Sequence, residues 1–383
     1  MKYLKLNIFD RYIWRQVFSS TLIGVIVLTG VMVLGNVFKE MERLLGDTSS
    51  LPLSAVLKFI AFVIPYSLIF TIPWAMLTGI LLVFGRMSAD NEMTALRMTG
   101  RSMPRICAPV FVLAGLMSVV CYFVNVDLAP FCKNSIKRLF FDLTLDRPEM
   151  LFQPGKIVDK FPGYDIYTGA RDDKKLRNVE IFETDGGYNH RYTRAMRAEV
   201  EVTPGVTDFV LRLHNAHIET PKGSEVKNID VLNDLQSINL AESAITFPLS
   251  RLKEKTERIS PSMKDTDTLW QEVRSGIDSA TKLPADKKLI SASLTEANMR
   301  YSFSLACITF AFVGIPLGMT TQRRETSVGF ALSLVVAASY IIFITYADAI
   351  KEKPGLFPHL LMWVPNVLFL TVGGVLFRRL SKK

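Results

Sequence analysis

Six stretches of about twenty mostly apolar residues constrain this chain more than any other feature, because crossing ~30 Å of hydrocarbon as a helix takes that length. They lie at 17–37, 56–84, 106–126, 301–320, 328–347 and 360–377. The second carries Pro65 and Pro73 and is long enough to tilt or kink. Such prolines, like Pro316 in the fourth, are tolerable where neighbouring helices satisfy the freed carbonyls. The first stretch is too long for a cleaved signal, and no small-x-small site follows it. Three spans stand on each side of a long polar segment. The expected architecture is an α-helical membrane protein with six transmembrane helices, three plus three, around an inserted soluble domain. The expected boundaries are 1–126, 127–296 and 297–383.

The net charge is +9, from 45 Lys and Arg against 36 Asp and Glu. In a soluble protein that excess would raise nucleic-acid binding, but a mean hydropathy of +0.25 argues against that class. The charge has a different address. With the N-terminus inside, the short inner segments 1–15, 85–105, 321–326 and 377–383 hold fourteen Lys and Arg against four acids, while the short outer loops hold four. Among the fourteen are Arg323, Arg324, Arg378 and Arg379. By the positive-inside rule both termini are then cytoplasmic and the inserted domain lies outside the membrane.

The middle of that insert reads as strand. Residues 178–184, 197–203 and 208–220 alternate polar and apolar side chains, with a TPGV turn at 203–206 and a later strand at 244–249. Residues 268–279 have helical spacing instead, through Leu269, Val273 and Ile277. Several short strands joined by turns point to a β-sandwich or jelly roll. His214 and His217 differ by an odd number, so on a regular strand they face opposite sides and share no metal. Cys107, Cys121, Cys132 and Cys307 have no paired spacing and read as small apolar residues, Cys132 alone in soluble sequence. No phosphate-binding GxxxxGK loop, HExxH or GxSxG occurs. The spans lack mid-membrane acids and bases, which counts against a proton-coupled transporter.

Four features remain as candidates. The loop FGRMSADNEMTALRMTGRSMPR (84–105) reads as a short amphipathic helix over 88–99. Ser88 is its N-cap, Asp90 and Glu92 sit in the first turns, Arg97 lies near the end and Gly100 stops it. Ala89, Met93 and Leu96 share one face, suited to a partner's groove or to lipid headgroups. At the outer mouth of span one, Lys39 and Arg43 are i, i+4, placed for lipid phosphates or for ordinary snorkelling. Glu296 and Arg300 repeat that spacing in front of span four, where a plain helix pair contributes only ~0.3–0.5 kcal/mol. Gly314, Pro316 and Gly318 weaken that helix near its end. In span five, Gly329, Ser333 and Ala337 make a small-residue stripe that permits close helix approach or a seam that opens.

These residues resemble a known family. RMSADNEMTALRMTG (86–100), EANMR…GIPLG (296–318) and the W-x-P-N of Trp363–Asn366 are similar in order and spacing to the lipopolysaccharide export permeases of the LptF/LptG (YjgP/YjgQ) type. The resemblance implies a periplasmic β-jellyroll-like domain and one permease half of an ABC-type exporter. It implies as partners a dimeric LptB-like ATPase, a second permease of the same type and an LptC-like bridge protein, with lipopolysaccharide as cargo. ATP would be bound by the partner, so the chain itself carries no cofactor and is not an enzyme. Glu92 would engage the ATPase, spans one and five would form a lateral gate, and Lys39 and Arg43 would touch lipid phosphate. The competing expectations are a permease for another lipid or for lipoproteins, and a membrane-anchored interaction protein without transport.

Overall fold

The computed structural model describes residues 8–44, 53–146, 148–161, 163–172, 174–185, 188–202, 208–221, 235–248, 260–279, 281–320 and 326–382. Arg323, Arg324 and the TPGV turn lie outside the described residues. Among the described residues six helical stretches are long and apolar enough to cross a membrane: Ile8–Lys39, Leu53–Ala89, Met103–Leu143, Lys287–Thr320, Phe330–Ala349 and Pro358–Leu380. Each overlaps one of the six expected spans. They are built from α1 (Ile8–Leu44), α2 (Leu53–Ala89), α4 (Met103–Phe123) running on into α5 (Ala129–Asp146), α7 (Lys287–Thr320), α8 (Thr326–Ala349), the short α9 (Pro358–Leu361) and α10 (Val364–Lys382). Among the described residues there are also the shorter helices α3 (Glu92–Met98) and α6 (Thr266–Ser275).

The third span runs well past its expected end. It passes through a π-helical turn at Val124–Leu128 and continues as α5. Asn125, buried there, donates to the carbonyl of Cys121 at 2.8 Å, so the wider turn is stitched by its own side chain. Cys132 is consequently buried within a helix rather than in soluble sequence. All four cysteines are free and buried, and Cys121 Sγ lies 3.6 Å from Cys307 Sγ.

The chain parts into two compact units. The first holds Met1–Asn36, Lys58–Ile136 and Ile259–Lys383, the second Val37–Leu57 and Lys137–Arg258. The expected boundaries at 126 and 296 differ from this packing, because α6 and the residues around it fold onto α7. Within the first unit α7 is the central helix. One apolar cluster joins it to α1, α2 and α4 through Ile13, Met76, Phe84, Leu113 and Ile315, and a second joins it to α2, α8 and α10 through Leu77, Phe310, Tyr340 and Phe369.

In the second unit, strands β1 (Ile157–Phe161), β2 (Tyr164–Asp172), β3 (Lys175–Asp185), β4 (Tyr188–Val202), β5 (Asp208–Pro221) and β6 (Leu235–Pro248) form one antiparallel sheet. The strands lie in sequence order, a meander. The expected strands overlap β3 to β6, with positions 203 and 249 outside the described residues; β1 and β2 are additional. Besides register shifts near Val158–Phe161 and Glu183–Thr184, the ladder is interrupted along an aligned row, Gly169, Asn178, Met196, Asn215 and Ala241. Asn178 and Asn215 have φ of 51° and 53°, a left-handed conformation that asparagine tolerates. Across that row the inward alternation slips by one residue, from Leu176 to Val179, Ala195 to Ala198 and Leu213 to Ala216.

Candidate functional site

The loop between spans two and three is organised differently from its sequence reading. α2 does not stop before Ser88; it runs to Ala89, and Ser88 Oγ donates to the Met319 carbonyl of α7 at 2.9 Å. Ser88 therefore caps nothing. The turn falls at Asp90 and Asn91, with Asn91 in the left-handed region at φ 60°, and α3 starts at Glu92. Gly100, at φ 77°, ends the helix as expected. Met93 and Leu96 are buried at 5% and 7% and belong to the apolar cluster of α1, α2 and α4. They anchor α3 to its own chain, so they are not free to enter a partner. The outward side is Asp90, Thr94, Ala95 and Met98, the last 83% exposed, with Glu92 and Arg97 half-buried at its edges.

Three contacts that the spacing did not reveal tie this loop to the start of α1. Tyr12 donates its hydroxyl to Glu92 Oε2 and Oε1, at 3.2 and 3.3 Å. Arg105 Nη2 lies 2.8 Å from Oδ2 of the buried Asp10. The Arg101 guanidinium stands 5.0 Å from the Phe9 ring centroid.

Lys39 is exposed near the end of α1. Arg43 follows on the same helix, and its side chain lies outside the described ones. Within the membrane unit, a cleft of about 850 Å³ opens beside the third span, lined by Val120, Phe123, Val124, Leu128 and Phe131. Asp127, Asp265 and Asp267 also line it.

The described members of span five's small-residue stripe, Ser333 and Ala337, face inward. Ser333 is fully buried and accepts from Thr78 Oγ1 of α2 at 3.1 Å, and Ala337 packs in the cluster with Leu77 and Leu81 of α2. Gly329 lies on the same helix, one turn earlier. The opposite face of α8 is open and apolar, with Val335, Ile342 and Tyr346 exposed by 60% or more. On α1 an open apolar strip runs through Ile23, Val27, Val31 and Phe38.

Glu296 and Arg300 are not a surface pair. Arg300 is buried; its Nε reaches Glu296 Oε1 at 3.4 Å, Nη1 donates to Thr266 Oγ1 at 2.7 Å and Nη2 to the Lys264 carbonyl at 2.8 Å. Nearby, buried Lys264 pairs with Glu272, which also accepts from the Ser279 side chain and amide and from Ser293 Oγ. Burial alone would raise the Glu272 carboxyl, but those hydrogen bonds and the Lys264 charge outweigh it and hold the group below the usual carboxylate range. The two networks fasten α6 to α7. Pro316 is buried in α7 between Gly314 and Gly318, which pack against Ile80 and Phe84 of α2.

Asn366 of the W-x-P-N motif is a buried hub. Its amide donates to Ser302 Oγ at 2.8 Å and to the Ser302 carbonyl at 3.0 Å, and its Oδ1 accepts from Thr309 and Tyr340 at 3.0 and 3.3 Å. Trp363 donates to Asn298 at 3.0 Å. One asparagine thus joins α7, α8 and α10.

On the sheet, His214 and His217 follow the buried residues Leu213 and Ala216, so both project from the same solvent face, against the parity expectation. The slip at Asn215 restores their phase. They bind different carboxylates, His214 to Glu242 and His217 to Glu219, and among the described residues no group of metal-ligating side chains is assembled. Hydrogen bonds to Asn239 and Glu219 raise the His217 imidazole above its ordinary range.

A family model described as lipopolysaccharide export system permease LptF/LptG matches residues 11–379. No curated protein matches the chain.

Proposed function

The chain belongs to the lipopolysaccharide export permease family LptF/LptG, and from that premise we propose that it is one permease half of an exporter driven by a separate ATPase. Membership and the six apolar helices make it a multi-pass inner-membrane transport permease rather than an enzyme. ATP, in this proposal, is bound by an LptB-like dimer. A second LptF/LptG-type permease completes the pathway, and an LptC-like bridge receives the lipid.

Transport needs such coupling. Burying acyl chains is worth ~0.8 kcal/mol per CH₂, so a lipid with several chains leaves a bilayer unaided only very slowly. In this reading the N-terminal end and the loop 90–105 face the cytoplasm, the sheet faces the periplasm, and the outward side of α3 docks the ATPase. Glu92, Asp90, Arg97 and the exposed Met98 make the contact, while Met93 and Leu96 hold the helix in place. The open apolar faces of α1 and α8 supply the lateral path. Ser333 and Ala337 brace α8 from behind. Lys39, with Arg43, meets lipid phosphate at headgroup depth.

The match over residues 11–379 carries the proposal. Purification in mild detergent is the direct test, with mass spectrometry of co-eluting proteins and lipids. A P-loop ATPase and lipopolysaccharide are expected, and Glu92→Lys should release the ATPase. Recovery of neither would overturn the assignment of partners and cargo.

A further inference from the structure

The start of span one is bolted to the loop between spans two and three, and nothing in the docking role of α3 requires this. A helix that only had to present Glu92 to a partner could be held by its apolar face, as Met93 and Leu96 already hold it. Instead three different chemistries converge from one turn of α1. Phe9 lies under Arg101, Asp10 pairs with Arg105, and Tyr12 donates to both oxygens of Glu92. Ile13 and Val17, on the following turns and almost wholly buried, continue the contact into the cluster that holds Met93, Leu96 and Met103.

Asp10 is buried, with only 5% of its surface exposed, while the Arg105 side chain is half exposed, so one end of this charge-assisted bond is sealed in the packing and the other meets solvent. Tyr12 and Glu92 are 80 residues apart in sequence, and Asp10 and Arg105 are 95, so these are tertiary links rather than local caps. They grip the segment at both ends, Glu92 at the beginning of α3 and Arg105 in the first turn of α4. A displacement of α3 along either direction therefore loads α1. Beyond this base, α1 carries the open apolar strip through Ile23, Val27 and Val31.

We propose that Tyr12 and Asp10 are positioning residues that carry the movement of the 92–105 segment into span one, so that ATPase engagement at α3 becomes movement of the lipid-facing helix. This rests on the proposed docking of an ATPase at α3. Tyr12 and Asp10 do not bind the ATPase or the lipid; they act through Glu92 and Arg105.

The test uses the assembled complex, co-purified and reconstituted in proteoliposomes containing lipopolysaccharide, with ATP hydrolysis and lipopolysaccharide extraction measured together. Tyr12→Phe keeps the ring and loses the hydroxyl; Asp10→Asn keeps the shape and loses the charge. Both should retain the ATPase and its hydrolysis rate, while lipopolysaccharide extracted per ATP falls about five-fold or more, the scale of an ordinary coupling free energy. Because Asp10→Asn can weaken folding, the exchange Asp10→Arg with Arg105→Asp is the second variant, and it should recover the yield per ATP lost in either single change. An unchanged yield per ATP in Tyr12→Phe and Asp10→Asn would overturn the proposal, as would an exchange variant that folds and hydrolyses ATP but recovers nothing. The docking premise fails separately: there the unmodified chain brings down no ATPase at all.

Discussion

At positions 296 and 300 an i, i+4 spacing on a helix is compatible with ~0.3–0.5 kcal/mol if the pair is exposed and with far more if it is not. Burial decides, and spacing does not report burial. Here Arg300 forks between Glu296, Thr266 and the carbonyl of Lys264 with its side chain almost sealed from solvent. Arg300→Ala should therefore cost ~3–5 kcal/mol, because it strands a buried carboxylate. Arg300→Met with Glu296→Leu, which removes both charges, should cost less than the single change. Unfolding midpoints in detergent check the ranking, and equal losses would return the pair to the surface class. Glu272 adds a pH signature. Its carboxyl is held low in the folded protein, so the stabilisation is complete above the ordinary carboxylate range and is lost as pH falls through the lower folded value. The dependence of the unfolding midpoint on acid pH should flatten in Glu272→Gln. At this scale the sequence drew attention to Glu92, Arg300 and Asn366 through their motifs and spacing. Their partners, Tyr12, Thr266 and Ser302, were invisible because each comes from a distant part of the chain.

Elements were more legible, with failures that share a physical origin. All six spans could be read because a helix in hydrocarbon must be apolar over its whole length. What periodicity could not show is which face meets which neighbour. The stripe Gly329, Ser333, Ala337 has the spacing of a seam, and its described members meet α2 inside the bundle. Helix approach is governed as tightly elsewhere. At Gly373 an added Cβ would stand 2.7 Å from the backbone carbon and oxygen of Phe312 on α7, whereas at the adjacent Gly374 nothing lies within 4 Å. Gly373→Ala should destabilise the protein by ~1–3 kcal/mol through overpacking, and Gly374→Ala should be close to neutral. Matching thermal midpoints for the two would show that α10 can shift away from α7 freely. Ser88 and His217 make the same point about periodicity. A residue suited to capping is drawn into a longer helix when its hydroxyl finds a partner on a neighbouring helix, as Ser88 does at the Met319 carbonyl. A strict two-residue alternation fails at an asparagine that takes up a left-handed turn within the strand.

For the whole molecule, charge and hydropathy carry an orientation that the packing of the chain does not encode, since a helix bundle has the same contacts whichever end faces the cytoplasm. The excess of Lys and Arg in the short segments around Arg86–Arg105 and Arg378–Arg379 is a statement about insertion into a membrane, made by a rule that concerns translocation rather than folding. Two exposed methionines turn it into a measurement. Met98, 83% exposed, lies in the loop expected inside, and Met196, 68% exposed, lies on the sheet expected outside. The native cysteines are all buried, so their background labelling by a bulky, membrane-impermeant maleimide is low. In intact spheroplasts Met196→Cys should react promptly and Met98→Cys only after the membrane is permeabilised. The opposite pattern would invert the protein, and would move α3 with Glu92 to the side where no ATP-driven partner could reach it.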